Sequence, residues 1–369
     1  MSKSISGRQL KYAISAFIIA SSLLTSNLYM FARNDAWVAV LIAFIASVSI
    51  IGIYTTLSKR YPGLSLLDIT TAVFGKILGK GISTLYVFYF LSLSYFNTRN
   101  LGDFIISMVL PHTPMTLILV SFVIICAMAV RKGPVVMTRY GFLVAITAIL
   151  AILINAMLLL NVTKLNNLQP AFTLPAENYL IGAHIVTMLP FCEIMSFMMF
   201  IPAMQKPEEF GRAMRIGLCF GAATLILIVL RDITVLGPYT TSITMPTFSS
   251  IRMIDIGDLL TRMEIIYAVI LISLLFFKVS IVYYATVSGI GRLFETESYR
   301  PLIYILGALI VLYAEASFAA STEHVEWNMT AAATYSTFFL FFLPMLTLIV
   351  SWLRGRNKGR PEAYQEAPS

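Results

Sequence analysis

Residues 188–204 read MLPFCEIMSFMMFIPAM. A run this apolar suits the middle of a membrane helix, yet it contains Pro190 and Pro202, and Cys192-Glu193 follow the first proline almost directly. Proline removes an amide donor and its ring clashes with the preceding turn, so the carbonyls before it are freed. In hydrocarbon, freed carbonyls and a carboxyl group such as that of Glu193 are tolerated only against protein or a water-lined cavity. The stretch therefore predicts an interrupted helix inside a bundle of membrane helices.

The surrounding sequence has the composition such a bundle needs. The chain has 369 residues, 58% hydrophobic and 12% charged, with a mean hydropathy of +0.84, whereas soluble domains carry about 25% charged residues. That excludes a soluble globular protein. Apolar runs bounded by charge or by Pro and Gly fall at 11–32, 36–57, 81–110, 115–130, 140–162, 179–203, 214–237, 262–291, 301–320 and 331–353. Ten spans of about 20 residues each take up more than half the chain and leave no room for a soluble catalytic domain. The expected organisation is a short terminus at 1–10, a ten-helix domain at 11–353 and a tail at 354–369. The first apolar run is too long for a signal peptide and lacks a small-residue cleavage site, so it predicts a retained span.

The basic residues test the count. Alternating loops put nineteen of the 26 Lys and Arg on one side, from Lys3, Arg8 and Lys11 to Arg354, Arg356, Lys358 and Arg360, against Arg33, Lys164 and Arg252 on the other. By the positive-inside rule both termini are cytoplasmic. The net charge of +8 is thus topological and does not imply nucleic acid as a partner; the lipid bilayer is the expected one.

An even number of spans divides into two halves of five with opposite orientation, the pattern of an inverted repeat. The first span of each half is the disrupted one. Span 1 carries Ser15, Ser21, Ser22, Thr25, Ser26 and Asn27 at mid-depth, and span 6 carries Pro190 and Glu193. Interrupted helices in corresponding positions are the best sequence pointer to a midplane binding site. Span 1 alone is equally well read as a kinked helix whose hydroxyls bond their own backbone.

Ionisable groups inside spans cost about 2.5–3.5 kcal/mol each. Lys278, in FFKVS, lies about 13 residues, or roughly 20 Å, from the nearer end of span 8, beyond the reach of snorkelling, and must face the bundle interior. Glu193 sits at similar depth. Either the two form a buried pair, or desolvation leaves the lysine neutral and suited to proton coupling. Arg99 and Asp103 are four apart on span 3 and can pair; an arginine fork can also hold a ligand carboxylate. Arg231 and Asp232 are adjacent, point in different directions and are expected to need other partners.

Enzyme signatures are missing from the sequence. His112, His184 and His324 show no metal-ligand spacing, Cys126, Cys192 and Cys219 lie in apolar runs, and GKILGKG from Gly75 is one residue short of a P-loop and reads as a basic turn. No cofactor is expected.

Several strings, in order, resemble the B subunits of bacterial spore germinant receptors, within the amino acid, polyamine and organocation transporter superfamily. They are ISGRQL before span 1, RNDAW (Arg33 to Trp37), KRYPGLSLLD (Lys59 to Asp68), FNTR (Phe96 to Arg99), LPFCE (Leu189 to Glu193), MPTFSSI (Met245 to Ile251), RMEII at the start of span 8, and FFKVSIVYYA (Phe276 to Ala285). The resemblance implies an all-α integral membrane fold like the leucine transporter, a 5+5 inverted repeat with discontinuous helices 1 and 6. It implies a multi-pass protein of the bacterial or spore inner membrane that binds a small nutrient, commonly an amino acid, and signals to the receptor's A and C subunits. A proton-coupled transporter of amino acids or amines is the alternative. The implied pocket residues are Ser21, Ser22 and Leu24 of span 1, Tyr95 and Arg99 of span 3, Phe191, Cys192 and Glu193 of span 6, and Lys278 and Tyr283 of span 8. Where that family often has glycine in the break of span 1, this chain has Ala20-Ser21-Ser22, exchanging close backbone approach for seryl hydroxyls.

Overall fold

The computed structural model describes residues 4–254 and 263–355. Arg262, at the start of expected span 8, and nearly all of the expected tail lie outside the described residues, as does the side chain of Leu24.

The first helix, α1 (Gly7–Ile19), starts before the expected residue 11 because Ser6 and Gln9 form a capping box, each side chain bonded to the other's backbone amide. This satisfies two donors that the helix end would otherwise leave open. After Ile19 the backbone tightens into a 3-10 segment, Ala20–Leu24, and resumes as α2 (Thr25–Ala32). A turn at Arg33–Asp35, with Arg33 at φ 45°, leads into α3 (Ala36–Arg60). The chain reverses there: a Cβ on Gly182 of α8 (Ala176–Val186) would lie 3.2 Å from Leu28 and 3.3 Å from Ala39. In one straight helix those two residues would be about 16 Å apart.

A short connecting helix, α4 (Leu66–Phe74), has its own Ser65–Asp68 capping box and ends at Gly75, φ 84°. α5 (Lys76–Phe104) starts directly afterwards, so GKILGKG opens a helix and is not a loop. α6 (Met115–Lys132) and α7 (Pro134–Leu158) complete the first half. The second half runs through α8, α9 (Phe210–Leu236), α10 (Pro246–Ile251), α11 (Met263–Leu293), α12 (Leu302–Ala316), α13 (Ser321–Thr330), α14 (Ala332–Thr337) and α15 (Leu343–Leu353). Span 6 is α8 followed by a wide turn at Thr187–Phe191 and a 3-10 segment at Cys192–Ala203. Leu189, immediately before Pro190, sits outside helical geometry at φ −117°, ψ 74°. Both halves therefore begin with a broken helix.

Among the described residues, eight helices are long and apolar enough to cross a membrane, or nine if the pair α12 and α13, bent by 95°, counts as one span. The ten apolar runs differ from that count at span 1, whose break leaves pieces too short to qualify and whose second piece adjoins α3.

α1 lies at the centre of the bundle, buried from Ala13 to Ile19. It packs on α9 at a backbone distance that only glycine permits. A Cβ on Gly217 would fall 2.7 Å from Ile14, and one on Gly221 2.7 Å from Ile18. This small-xxx-small contact lets helices associate where lipid offers no hydrophobic drive. Ser15 bridges the same seam, its hydroxyl within 3.2 Å of the Gly217 carbonyl. The outer faces of the helices remain apolar, with Ile45, Leu117, Leu143 and Ile305 each more than half exposed, as a lipid-facing surface requires.

Candidate functional site

The breaks in spans 1 and 6 face α11, and the two ionisable groups singled out from the sequence meet there. The Lys278 ammonium lies 2.6 Å from Glu193 Oε2, and the two side chains are 1% and 3% exposed. Lys278 Nζ also donates to Ser21 Oγ at 2.6 Å and sits 4.9 Å from the centroid of the Phe17 ring. The ammonium is thus enclosed by a carboxylate, a hydroxyl and an aromatic face. Phe17 in turn packs edge-on against Phe197, centroids 5.5 Å apart, which ties the breaks of spans 1 and 6 together. Of the two readings open for Lys278, the geometry is that of a buried ion pair.

The 3-10 and non-helical backbone explains how these groups meet. Pro190 cannot donate, and the chain turns at Leu189 so that Glu193 leaves the line of α8. Ser21 sits in the 3-10 turn of span 1, where its hydroxyl reaches α11. Ser22 in the same turn shares a hydrogen bond of 3.3 Å with the Tyr267 hydroxyl on α11. Phe191 and Cys192 are wholly buried, Cys192 beside Tyr54 and Ser47 of α3.

Other residues implied by the resemblance lie elsewhere. Tyr283 donates to the Ile303 carbonyl of α12 and is turned away from the pair. Tyr95 packs at a tilt against the rings of Phe96 and Tyr313, centroids 4.4 and 5.6 Å away. Arg99 binds the carbonyls of Ala314, Glu315 and Phe318 at 3.1, 3.3 and 3.2 Å, and Asp103 Oδ1 at 3.1 Å. The i,i+4 pairing with Asp103 is the one expected, and the rest of the guanidinium closes the C-terminal end of α12, whose last carbonyls have no helical partners. Asp103 also accepts from Ser321 at 2.6 Å and contacts His324 Nδ1 at 2.7 Å. His324, isolated in the sequence, is therefore part of a buried clamp between α5 and α13.

A second buried cluster corrects the reading of Arg231 and Asp232. They pair with each other, Nη2 to Oδ1 2.7 Å, because the long arginine side chain can fold back along the helix. Asp232 also accepts from Tyr29 at 3.1 Å, Thr247 at 2.6 Å and Ser250 at 2.7 Å, so it joins α2, α9 and α10 on the side of the pair nearer α10.

Glu193 also lines a narrow cavity of about 20 Å³, the size that holds a water molecule, together with Asn97, Asn100, Asn328 and Tyr335. Asn328 and Tyr335 belong to α13 and α14. None of the residues expected at the site comes from this region, although Ser336 lines the cavity too and the polar string Thr334 to Thr337, with the amide of Asn328, is the signal the sequence carries there.

An α-helical membrane bundle whose first and sixth spans are broken, with a buried ion pair joining the sixth span to α11, defines a membrane protein of transporter fold. The solved structure of Mhp1, a nucleobase-cation-symport-1 family transporter in a closed conformation, superposes with a TM-score of 0.62, covering 92% of this chain and 79% of that one at 12% identity. The family model described as "Spore germination protein" matches residues 4–322, and the chain belongs to that family. Among its relatives in Bacillus subtilis (strain 168) are spore germination protein KB, 27% identical over 96% of both chains, and spore germination protein YndE, 26% identical over 88% of this chain and 89% of that one. Spore germination protein A2 is 23% identical over 92% and 94%.

Proposed function

We propose that this chain is the B subunit of a spore germinant receptor, a non-enzymatic, multi-pass protein of the spore inner membrane with both termini cytoplasmic. In this reading it binds a small nutrient, an amino acid or similar molecule, at mid-membrane and signals to the A and C subunits of the same receptor. Membership of the germination family supports the subunit assignment. The observation that carries the ligand reading is the enclosed Lys278–Glu193 pair beside Ser21.

A zwitterion needs an acceptor for its ammonium and donors for its carboxylate. Glu193 can supply the first, and Lys278 with the hydroxyls of Ser21 and Ser22 the second. In the closed arrangement these groups satisfy one another, and the adjoining cavity holds only about 20 Å³. A nutrient would therefore bind an opened arrangement better than this one, and the difference in affinity is what shifts the population. The signal to the partner subunits is that shift.

The alternative, a proton-coupled carrier of amino acids or amines, draws on the same lysine, which could release its proton if Glu193 moved away. Reconstitution separates the two. The chain alone in proteoliposomes is expected to bind labelled nutrient without moving it across the bilayer. Saturable uptake abolished by a protonophore would establish the carrier and refute the receptor. Nutrient binding that is unchanged in Glu193→Gln and Lys278→Met would refute the site.

A further inference from the structure

The turn joining α2 to α3 borders a second cavity, separate from the buried pair and about 450 Å³ in volume. That is within the range of small-molecule sites. It lies on the RNDAW string. One part of its wall is apolar, from Met30, Leu174 and Pro238, and another carries Arg33 and Asp35.

Asp35 is 1% exposed. Its Oδ2 accepts from the Phe172 amide at 2.8 Å and the Tyr179 hydroxyl at 2.6 Å, while Oδ1 is buried with no hydrogen-bond partner among the described residues. A buried carboxylate oxygen with no donor is costly, and native structures rarely leave one. Arg33 is exposed and forms no ion pair among the described residues, with Asp35 or any other carboxylate.

The backbone is strained at the same place. The described residues include three non-glycine positions with positive φ; one, Arg33 at 45°, lines this cavity, and another, Phe172 at 59°, gives its amide to Asp35. Each costs about 1–3 kcal/mol, and such strain clusters at ligand clamps. A metal ion is a poor occupant: no group of three His, Cys, Asp or Glu stands together among the described residues, and Arg33 repels a cation. One free positive charge and one unfilled negative acceptor, held apart beside an apolar wall, match a molecule with both charges.

We infer that this cavity is a second binding site, for a small ammonium carboxylate zwitterion with an apolar side chain. Its carboxylate lies on Arg33 and its side chain on Met30 and Leu174, and its ammonium takes Asp35 Oδ1, now buried, once a small shift of the wall uncovers it. The inference does not depend on what the central pair binds.

Thr173 is exposed and lines the cavity, so a cysteine there reports occupancy. In full-length Cys219→Ser/Thr173→Cys, which removes the exposed native thiol, millimolar L-leucine is expected to slow maleimide labelling at least about tenfold, the effect of one charge-assisted contact. Leucinamide, without the carboxylate, and 4-methylpentanoate, without the ammonium, should each protect far less. Asp35→Asn should abolish protection by leucine. Because Asp35 also holds Phe172 and Tyr179, Arg33→Gln at an exposed position provides the second arm, reducing leucine to the level of 4-methylpentanoate or leucinamide. Protection that survives both variants, or that leucinamide matches, overturns the proposal. So does protection by phosphatidylethanolamine nanodiscs without leucine, which would make the occupant a lipid headgroup.

Discussion

Removing one member of the Lys278–Glu193 pair should destabilise the protein far more than removing both. At 2.6 Å and an effective dielectric of 20, two unit charges attract by about 6 kcal/mol. Desolvation of both groups offsets much of this, so the net worth of the pair is small. A lone buried charge has no such offset, and breaking a buried pair costs about 3–5 kcal/mol. Lys278→Met leaves Glu193 with no positive partner among the described residues, and Ser21 loses its donor. Glu193→Leu leaves the ammonium with one hydroxyl and the Phe17 face. Each single variant should lose about 3–5 kcal/mol, and the double variant Lys278→Met/Glu193→Leu should recover most of it, since apolar replacement of a whole pair is often neutral. The measurement is reversible unfolding in mixed micelles, with the four proteins of a double-mutant cycle compared under one detergent composition. Additive losses, with a coupling below about 0.5 kcal/mol, would refute the reasoning.

Other outcomes follow from the same contacts. Gly217→Leu forces a side chain into Ile14 at the α1–α9 seam and should cost about 1–3 kcal/mol or more, read as a lower melting temperature in micelles, whereas Gly52→Ala, where a Cβ meets nothing within 4 Å, should be neutral or stabilising. Asp103→Ala strips partners from Arg99, Ser321 and His324. It should raise amide exchange across the α12–α13 bend before it affects α1, and uniform exchange across both would contradict the clamp. Asp232→Ala leaves Arg231 buried and unpaired and should cost about 3–5 kcal/mol, against about 1 kcal/mol for Ser250→Ala, which removes one hydrogen bond. The exposed Lys80–Glu295 pair is a contrast. Lys80 holds the Glu295 carboxyl below its ordinary value of 4.5, so any stabilisation is present above that pH and fades as the pH falls through the lowered value. At full exposure Glu295→Gln should leave the melting temperature unchanged at neutral pH.

The residues that could be read from sequence were those whose cost is fixed by depth alone. Lys278 cannot snorkel and Glu193 follows a proline, so both had to face inward, and each satisfied the other. Pro190 likewise announced the break in span 6. What sequence did not show depends on contacts across long separations. Asp103 and His324 are 221 residues apart, and the bend that brings them together falls at Ser317 to Ala320, with neither Gly nor Pro to mark it. It is held by Arg99 from another helix. Arg231 and Asp232 pair although adjacent Cα–Cβ vectors diverge, because a long guanidinium stem can cross that angle. Tyr283 stands five residues beyond Lys278 in FFKVSIVYYA, about 140° around the helix, so the spacing itself turns it from the pair, and its hydroxyl finds a carbonyl on α12.

The 3-10 segment Cys192–Ala203 is 12 residues long, where such helices seldom exceed 3–4. At about 2.0 Å per residue it is about 24 Å long, and as an α-helix it would be about 18 Å. The difference of about 6 Å is close to one helical pitch. Rewinding would also turn each residue from about 120° to about 100° around the axis, so Glu193 and Ile201, eight residues apart, would rotate relative to each other by about 160°. Glu193 lies at one end and Ile201, next to Pro202 and to the backbone pairing of Ile5 with Ala203 and Gln205, at the other. Were the sixth span to rewind, a local change at the carboxylate would become axial travel at the N-terminal segment of the chain, as along a screw thread.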